Sequence, residues 1–447
     1  MKMKKKKFSL SILIFLLIVC LISCYKSEDL QTKLSNIEGT EVSVIESDSI
    51  YTETYDVRFT QPLDHNNPNK GSFKQRVIVN HVGYDRPTVV ILEGYDLYST
   101  KAGELSQLLN ANQITIEHRF YGESQPDSLP WDLLNVKQAA ADQHKIIQSL
   151  KNIYKGKWIS TGISKGGQTT IFHRRFYPKD VDVSVPYVAP LNFEREDPRI
   201  GQHLITVGTE ACREKILNFQ KALFKNKKHI LPLVKKHAQE KDYKFKNLGI
   251  ERAYDINVLE YSFAFWQWNG NCEKIPLENV TYKEMFNHWT SIASFSFLDV
   301  KPLSSDQLFS YQALTELGFY DYDITPFKEY LDDTVNITFD FKIPEEVQYS
   351  YNPSVMEDIN NWVQNNGNYM LYIIGENDPW GATSVNPSDN TIAVKMINPK
   401  ANHSTRIKSF PKEMKQNIYN LLESWLGIEI EANKKKGLMR KEVLEIL

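Results

Sequence analysis

The chain has 447 residues, 41% hydrophobic and 24% charged, with a formal net charge of -2. That is the composition of an ordinary globular protein, long enough for one large domain with an insertion or for two domains. So small a net charge excludes the basic field that holds nucleic acid, and the sequence has no HExxH, P-loop or GxGxxG pattern, so neither metal nor cofactor is expected.

At the N-terminus a lysine-rich start precedes an apolar stretch from Phe8 to Ile22. It is shorter than the ~20 residues of a spanning helix and has the layout of an export signal. Its end, Leu21-Ile22-Ser23-Cys24, resembles the lipobox of bacterial lipoproteins, in which the cysteine is acylated and becomes the first mature residue. The expectation is a signal peptide over 1–23, a lipid anchor at Cys24 that attaches the chain to the cell envelope, and a polar tether over 24–52. Cys20 leaves with the signal. Cys212 and Cys272 remain, an even pair in an exported chain, either bridged or buried as two thiols.

After the tether, "TYDVRFTQPLDHNNPNKGSFKQRVIVN" predicts two strands around an Asn/Pro/Gly turn. "PTVVILEGYD" is a buried-strand run ending at a glycine, and "QITIEHRFYGES" is a strand running into a loop. "NVKQAAADQHKIIQSLKNIYKG" has helical spacing; "KWIST" is a strand; "GGQTTIFHRRFYP" is a helix halted by Pro178. Strands alternating with helices predict a parallel sheet with crossover helices. From about 197 to 352 the pattern turns helical and rich in aromatic and basic residues. It returns to strands with "NYMLYIIGENDPWGA" and "TIAVKMINPKANHSTR", then closes with a helix between Pro411 and Gly427. The expected division is a core over 53–196 and 353–430, a helical insertion over 197–352, and a charged tail over 431–447.

"GISKG" puts Ser164 between two glycines, after a strand and before a helix. Small residues there allow the tight turn that raises a serine hydroxyl above a sheet. A hydroxyl is a weak nucleophile at neutral pH and needs a base, which in turn needs an orienting acid. On this architecture they follow in the order Ser, Asp/Glu, His, each on a loop after a strand. Asp378 in "GENDPWG" and His403 in "KANHSTR" satisfy that order. His118 and His173 lie too near the serine in sequence, and His229, His237 and His288 fall in the insertion. Oxyanion donors are expected from the backbone N–H groups of Lys165 and of Tyr95, where Gly94 permits close approach. The Lys165 side chain has no assigned role and reads as solvated or ion-paired.

"QPLDH", "LEGY", "EHRFYGES", "QAAADQH", "GISKGGQT", "YVAPLN", "EYSFAFWQW" and "GENDPWGA" together resemble the secreted bacterial tripeptidyl aminopeptidases, a family of serine peptidases also described as prolyl tri/tetrapeptidyl aminopeptidases. Weaker similarity, mainly "EHRFYGES" and "NDPW", extends to lysosomal Pro-X carboxypeptidase. The resemblance implies an α/β-hydrolase fold with a helical cap, a triad of Ser164, Asp378 and His403, and release of short N-terminal peptides, often after proline. A carboxylesterase on the same fold and a non-enzymatic surface-binding lipoprotein are the alternatives. Trp266 and Trp380, with Phe263, Phe265 and Trp268, could line a slot for a proline ring. Glu93, Glu123 and Glu260 are the carboxylates that could meet a substrate's free amine. Short peptides and, through the anchor, a membrane are the expected partners; the oligomeric state is left open.

Overall fold

Runs rich in β-branched side chains assemble one nine-stranded sheet in a computed structural model that describes residues 29–268, 270–331 and 338–430. The strands are β1 (Thr40–Ile45), β2 (Glu53–Pro62), β3 (Ser72–His81), β4 (Thr88–Leu92), β5 (Asn112–Ile116), β6 (Trp158–Ile163), β7 (Val183–Tyr187), β8 (Met370–Gly375) and β9 (Ala393–Asn398). Their spatial order is β1-β2-β3-β5-β4-β6-β7-β8-β9. From β5 across to β9 all pairs are parallel, as expected, but β1, β2 and β3 pair antiparallel with their neighbours. The sheet is therefore mixed. The short Asn/Pro/Gly connection after β2 can join only antiparallel strands, whereas the later connections are long enough to cross over.

The central strands β5, β7 and β8 are buried along their whole length, because helices cover both faces. On one face Val90 and Ile114 pack with Ile146 and Ile147 of the helix Val136–Leu150. On the other, Ile159, Val185 and Leu371 pack with Ile418 and Leu422 of the helix Lys412–Leu426. This is the α/β-hydrolase arrangement.

Residues 29–45, expected to lie in a polar tether, are instead packed on the core. Asp29 caps a helix over Leu30–Ser35, whose Leu30 and Leu34 are buried beside Tyr55, Val57 and Tyr154, and β1 then adds to the sheet edge along β2. Two leucines four residues apart suffice to dock one helical turn, a signal too short to see in a polar stretch. Cys24, the signal segment and the charged tail lie outside the described residues.

The insertion forms a cap with a core of its own, in which Phe219, Leu223, Tyr254, Val258, Trp289 and Phe295 meet. Its helix Ile250–Gln267 is buried almost all round, and helix Glu210–Lys225 lies against it. Cys212 and Cys272 are joined by a disulfide, with their Cα atoms 5.4 Å apart. A second aromatic cluster, including Phe120, Tyr121, Phe263, Tyr320 and Trp380, joins cap to core.

Candidate active site

β6 ends at Ile163, and Ser164 turns the chain into the helix Lys165–Phe176 with φ 57° and ψ -122°. A serine holds such a conformation only where its surroundings impose it, which is the strained strand-to-helix elbow. Here Ser164 N–H donates to Tyr187 O at 2.9 Å and Ser164 O accepts from Gln168 N at 3.0 Å. The turn is so tight that a Cβ on Gly162 would lie 2.2 Å from Gly166 O. Gly94 makes the second close approach: a Cβ there would stand 2.6 Å from Gly166 N, so the loop after β4 lies directly on the first turn of the helix. Tyr95, Ser164 and Lys165 accordingly line one cavity of about 360 Å³.

Asp378, on the loop after β8, is wholly buried. One carboxylate oxygen accepts from Trp380 N at 3.1 Å and the other from His403 Nδ1 at 2.7 Å. An Nδ1–H committed to a carboxylate makes Nε2 the basic nitrogen of His403. His403 sits on the loop after β9. Its N–H donates to Gln267 O at 3.3 Å and its ring meets the edge of Trp268 with centroids 5.5 Å apart. Gln267 and Trp268 line the cavity that Ser164 opens into. Ser164 therefore lines a cavity two of whose other lining residues, Gln267 and Trp268, are in contact with His403.

The sequence profile of the family described as PS-10 peptidase S37 matches residues 24–436. The chain belongs to that family. It is accordingly a serine peptidase. It is 30% identical over 386 residues to the prolyl tri/tetrapeptidyl aminopeptidase of Streptomyces mobaraensis, covering 84% of this chain and 81% of that one. A putative serine protease of Caenorhabditis elegans is 22% identical over 86% of this chain and 89% of its own length. The lysosomal Pro-X carboxypeptidase of Bos taurus is 29% identical over 31% of this chain and 32% of its own.

Of the three carboxylates singled out in this peptidase, the structure brings one to the cavity. Glu260, on the cap helix Ile250–Gln267, lines it, and one carboxyl oxygen accepts from Tyr320 at 2.8 Å and Tyr322 at 2.7 Å. Burial pushes the Glu260 carboxyl up to about 7, against the pull of the two hydroxyls. Glu123 is instead 55% exposed, ion-paired to Arg58 and Arg76 on the rim of β2 and β3, and Glu93 is not among the cavity's lining residues. Burial, and then neighbouring Glu117, push Glu93 up to about 7 as well.

Trp380 and Phe263 line the cavity edge-to-face, 5.2 Å between centroids, and Phe263 stacks on Tyr320 at 4.0 Å. Trp268 lines it too, half exposed at the mouth. Trp266 does not. Its ring covers Gly208 inside the cap, and Phe265 packs beside it, because helix rotation turns those positions away from the site. The sequence carries no local signal for Tyr320 and Tyr322, which hold Glu260, or for the ion pair of buried Lys342 with partly exposed Asp306 at 3.0 Å, both of whose members line the cavity. These partners lie far apart in the chain, and no local pattern links them.

The Lys165 side chain is neither solvated nor ion-paired as expected. It is buried, donates to Gly94 O and, at 3.0 Å, to the Tyr121 hydroxyl, and no carboxylate among the described residues pairs with it.

Proposed function

We propose that this serine peptidase removes short peptides from free N-termini, tripeptides ending in proline foremost, by acylation of Ser164. The observation that carries this reading is Glu260, a buried carboxyl on the cap side of the Ser164 cavity, where it can meet a desolvated ammonium. The aromatic wall of Phe263, Tyr320 and Trp380 suits a pyrrolidine ring. The name of the Streptomyces relative points to the same substrates.

In the proposed reaction, Ser164 Oγ bonds to the acyl carbon as its proton passes to His403 Nε2, while Asp378 holds the ring. Backbone N–H groups of Tyr95 and Lys165 receive the charge that develops on the carbonyl oxygen. The C–N bond then breaks and the proton on Nε2 goes to the leaving amine. Water repeats the sequence: its proton goes to Nε2, its oxygen to the acyl carbon, and Ser164 recovers a proton as the peptide acid leaves.

Fluorophosphonate labelling of the wild type should vanish in Ser164→Ala; labelling that survives removes Ser164 as nucleophile. Acetylating the amine of an Ala-Ala-Pro chromogenic peptide should lower kcat/KM about thirtyfold, the loss of one charge-assisted hydrogen bond. Equal rates on both peptides would make it an endopeptidase, and faster hydrolysis of simple acyl esters an esterase.

We further infer that the chain is exported and held at the membrane by lipid on Cys24. The lysine-rich start, the apolar stretch and "LISC" support this, and no helix among the described residues is long and apolar enough to span a bilayer. Unchanged membrane partitioning of Cys24→Ser rules it out.

A further inference from the structure

A lysine amine buried without a carboxylate is costly, and a methionine would fill the same space at less cost. Lys165 carries such an amine. Its Nζ faces the rings of Tyr95 and Tyr121, at 5.0 and 4.2 Å from their centroids, and donates to Gly94 O and to the Tyr121 hydroxyl. That hydroxyl in turn donates to Gln312 Oε1 of the cap at 2.9 Å. Burial holds the Lys165 amine well below its ordinary value, against the opposing pull of the Asp96 charge. Charged or neutral, it still has N–H bonds to give to Gly94 O.

The acceptor is what matters. Gly94 O and the Tyr95 N–H are the two ends of one peptide unit, and in a trans peptide they point in opposite directions. A donor fixed on the oxygen therefore fixes the direction of the N–H, and by polarising the amide it strengthens that N–H as a donor. His118 N holds the next carbonyl, Tyr95 O, at 3.2 Å, while Glu93 N is held by Ile116 O at 3.0 Å. The Gly94–Tyr95 unit lies between these two anchors. Lys165 closes the gap from the residue that follows the nucleophile.

We propose that Lys165 is a positioning residue, whose side chain orients the Gly94–Tyr95 peptide so that the Tyr95 N–H meets the acyl oxygen of a substrate bound at Ser164. This rests on the proposed reading of Ser164 as nucleophile and of Tyr95 as an oxyanion donor. Lys165 then serves twice, through its own backbone N–H and through its side chain on the other donor. A substitution touches only the second role.

The test compares wild type, Lys165→Met and Ser164→Ala. It uses a chromogenic tripeptide substrate, the free tripeptide product as a ground-state ligand, and a tripeptide boronic acid whose serine adduct carries an oxygen anion where the acyl oxygen lies. In Lys165→Met, kcat and boronate affinity should fall together about ten- to a hundredfold, the range for a weakened oxyanion donor, while KM and product affinity stay within about twofold. Wild-type boronate affinity, or a loss confined to KM and product binding, overturns the proposal. Boronate binding that persists in Ser164→Ala shows that the nucleophile reading has failed instead. Should Lys165→Met not fold, Tyr121→Phe, which strips the amine of one acceptor, decides on the same split: a parallel loss in kcat and boronate affinity supports the proposal, and none overturns it.

Discussion

Glu260 is 7% exposed, and burial outweighs the Tyr322 and Tyr320 hydroxyls to leave its carboxyl at about 7. Below that pH the carboxyl is neutral and an incoming ammonium meets no anion; above it the carboxylate forms. Preference for a free over an acetylated N-terminus should therefore rise with pH through about 7, until the substrate amine itself loses its proton near about 8. The ratio of kcat/KM for the two peptides between pH 5 and 9 measures this, since titration of the catalytic base affects both alike. A flat ratio removes Glu260 as the amine's partner. Glu260→Gln should bring the ratio at pH 7.5 close to one by slowing the free peptide alone, an effect of about 2 kcal/mol. Gly94→Ala tests the adjoining backbone: its methyl would sit 2.6 Å from Gly166 N, so activity should fall more than tenfold, with the fold retained by circular dichroism.

Two links tie the elements together. Glu316, just after the cap helix Ser305–Gln312, accepts at 2.8 Å from Val136 N, an otherwise unsatisfied donor in the first turn of helix Val136–Leu150. Burial raises its carboxyl from 4.5 to about 7, although the bond from Val136 lowers it. The folded chain thus keeps a proton that the unfolded chain releases near 4.5, so this group's contribution is present below 4.5 and is lost as pH rises to about 7. Relative to Glu316→Gln, the wild type should lose on the order of 3 kcal/mol of unfolding free energy between pH 4.5 and 7.5, measured by urea titration. A pH-independent difference would mean that the carboxyl titrates normally. The second link is Cys212–Cys272, which closes a sequence separation of 60 within the cap. Cys212→Ser should lower cap stability by about 4 kcal/mol in the chain-entropy account, and denaturing alkylation without reductant should leave both sulfurs of the wild type unmodified.

In the molecule as a whole, the cap narrows the space over Ser164 to a partly open cavity of about 360 Å³, a small-ligand volume. Chromogenic tripeptides should be cleaved, and a long unstructured protein should release only terminal fragments; internal cuts would show that the cap does not restrict access. Most of the frame was legible in the sequence. Ser164, Asp378 and His403 stand where glycines or a turn-forming dipeptide follow a strand, and the helical periods marked Val136–Leu150 and Lys412–Leu426. Such signals are local, because turns and amphipathic periods are written within a few neighbouring residues. Only the tertiary structure separated Glu260 from Glu93 and Glu123, turned Trp266 inward and Trp268 toward the site, docked the segment from Asp29 onto the sheet edge, and set Lys165 on Gly94. Those outcomes depend on which groups lose water together and on partners 60 to 71 residues apart, as in Tyr320 to Glu260 and Lys165 to Gly94, and such pairings leave no periodic trace along the chain.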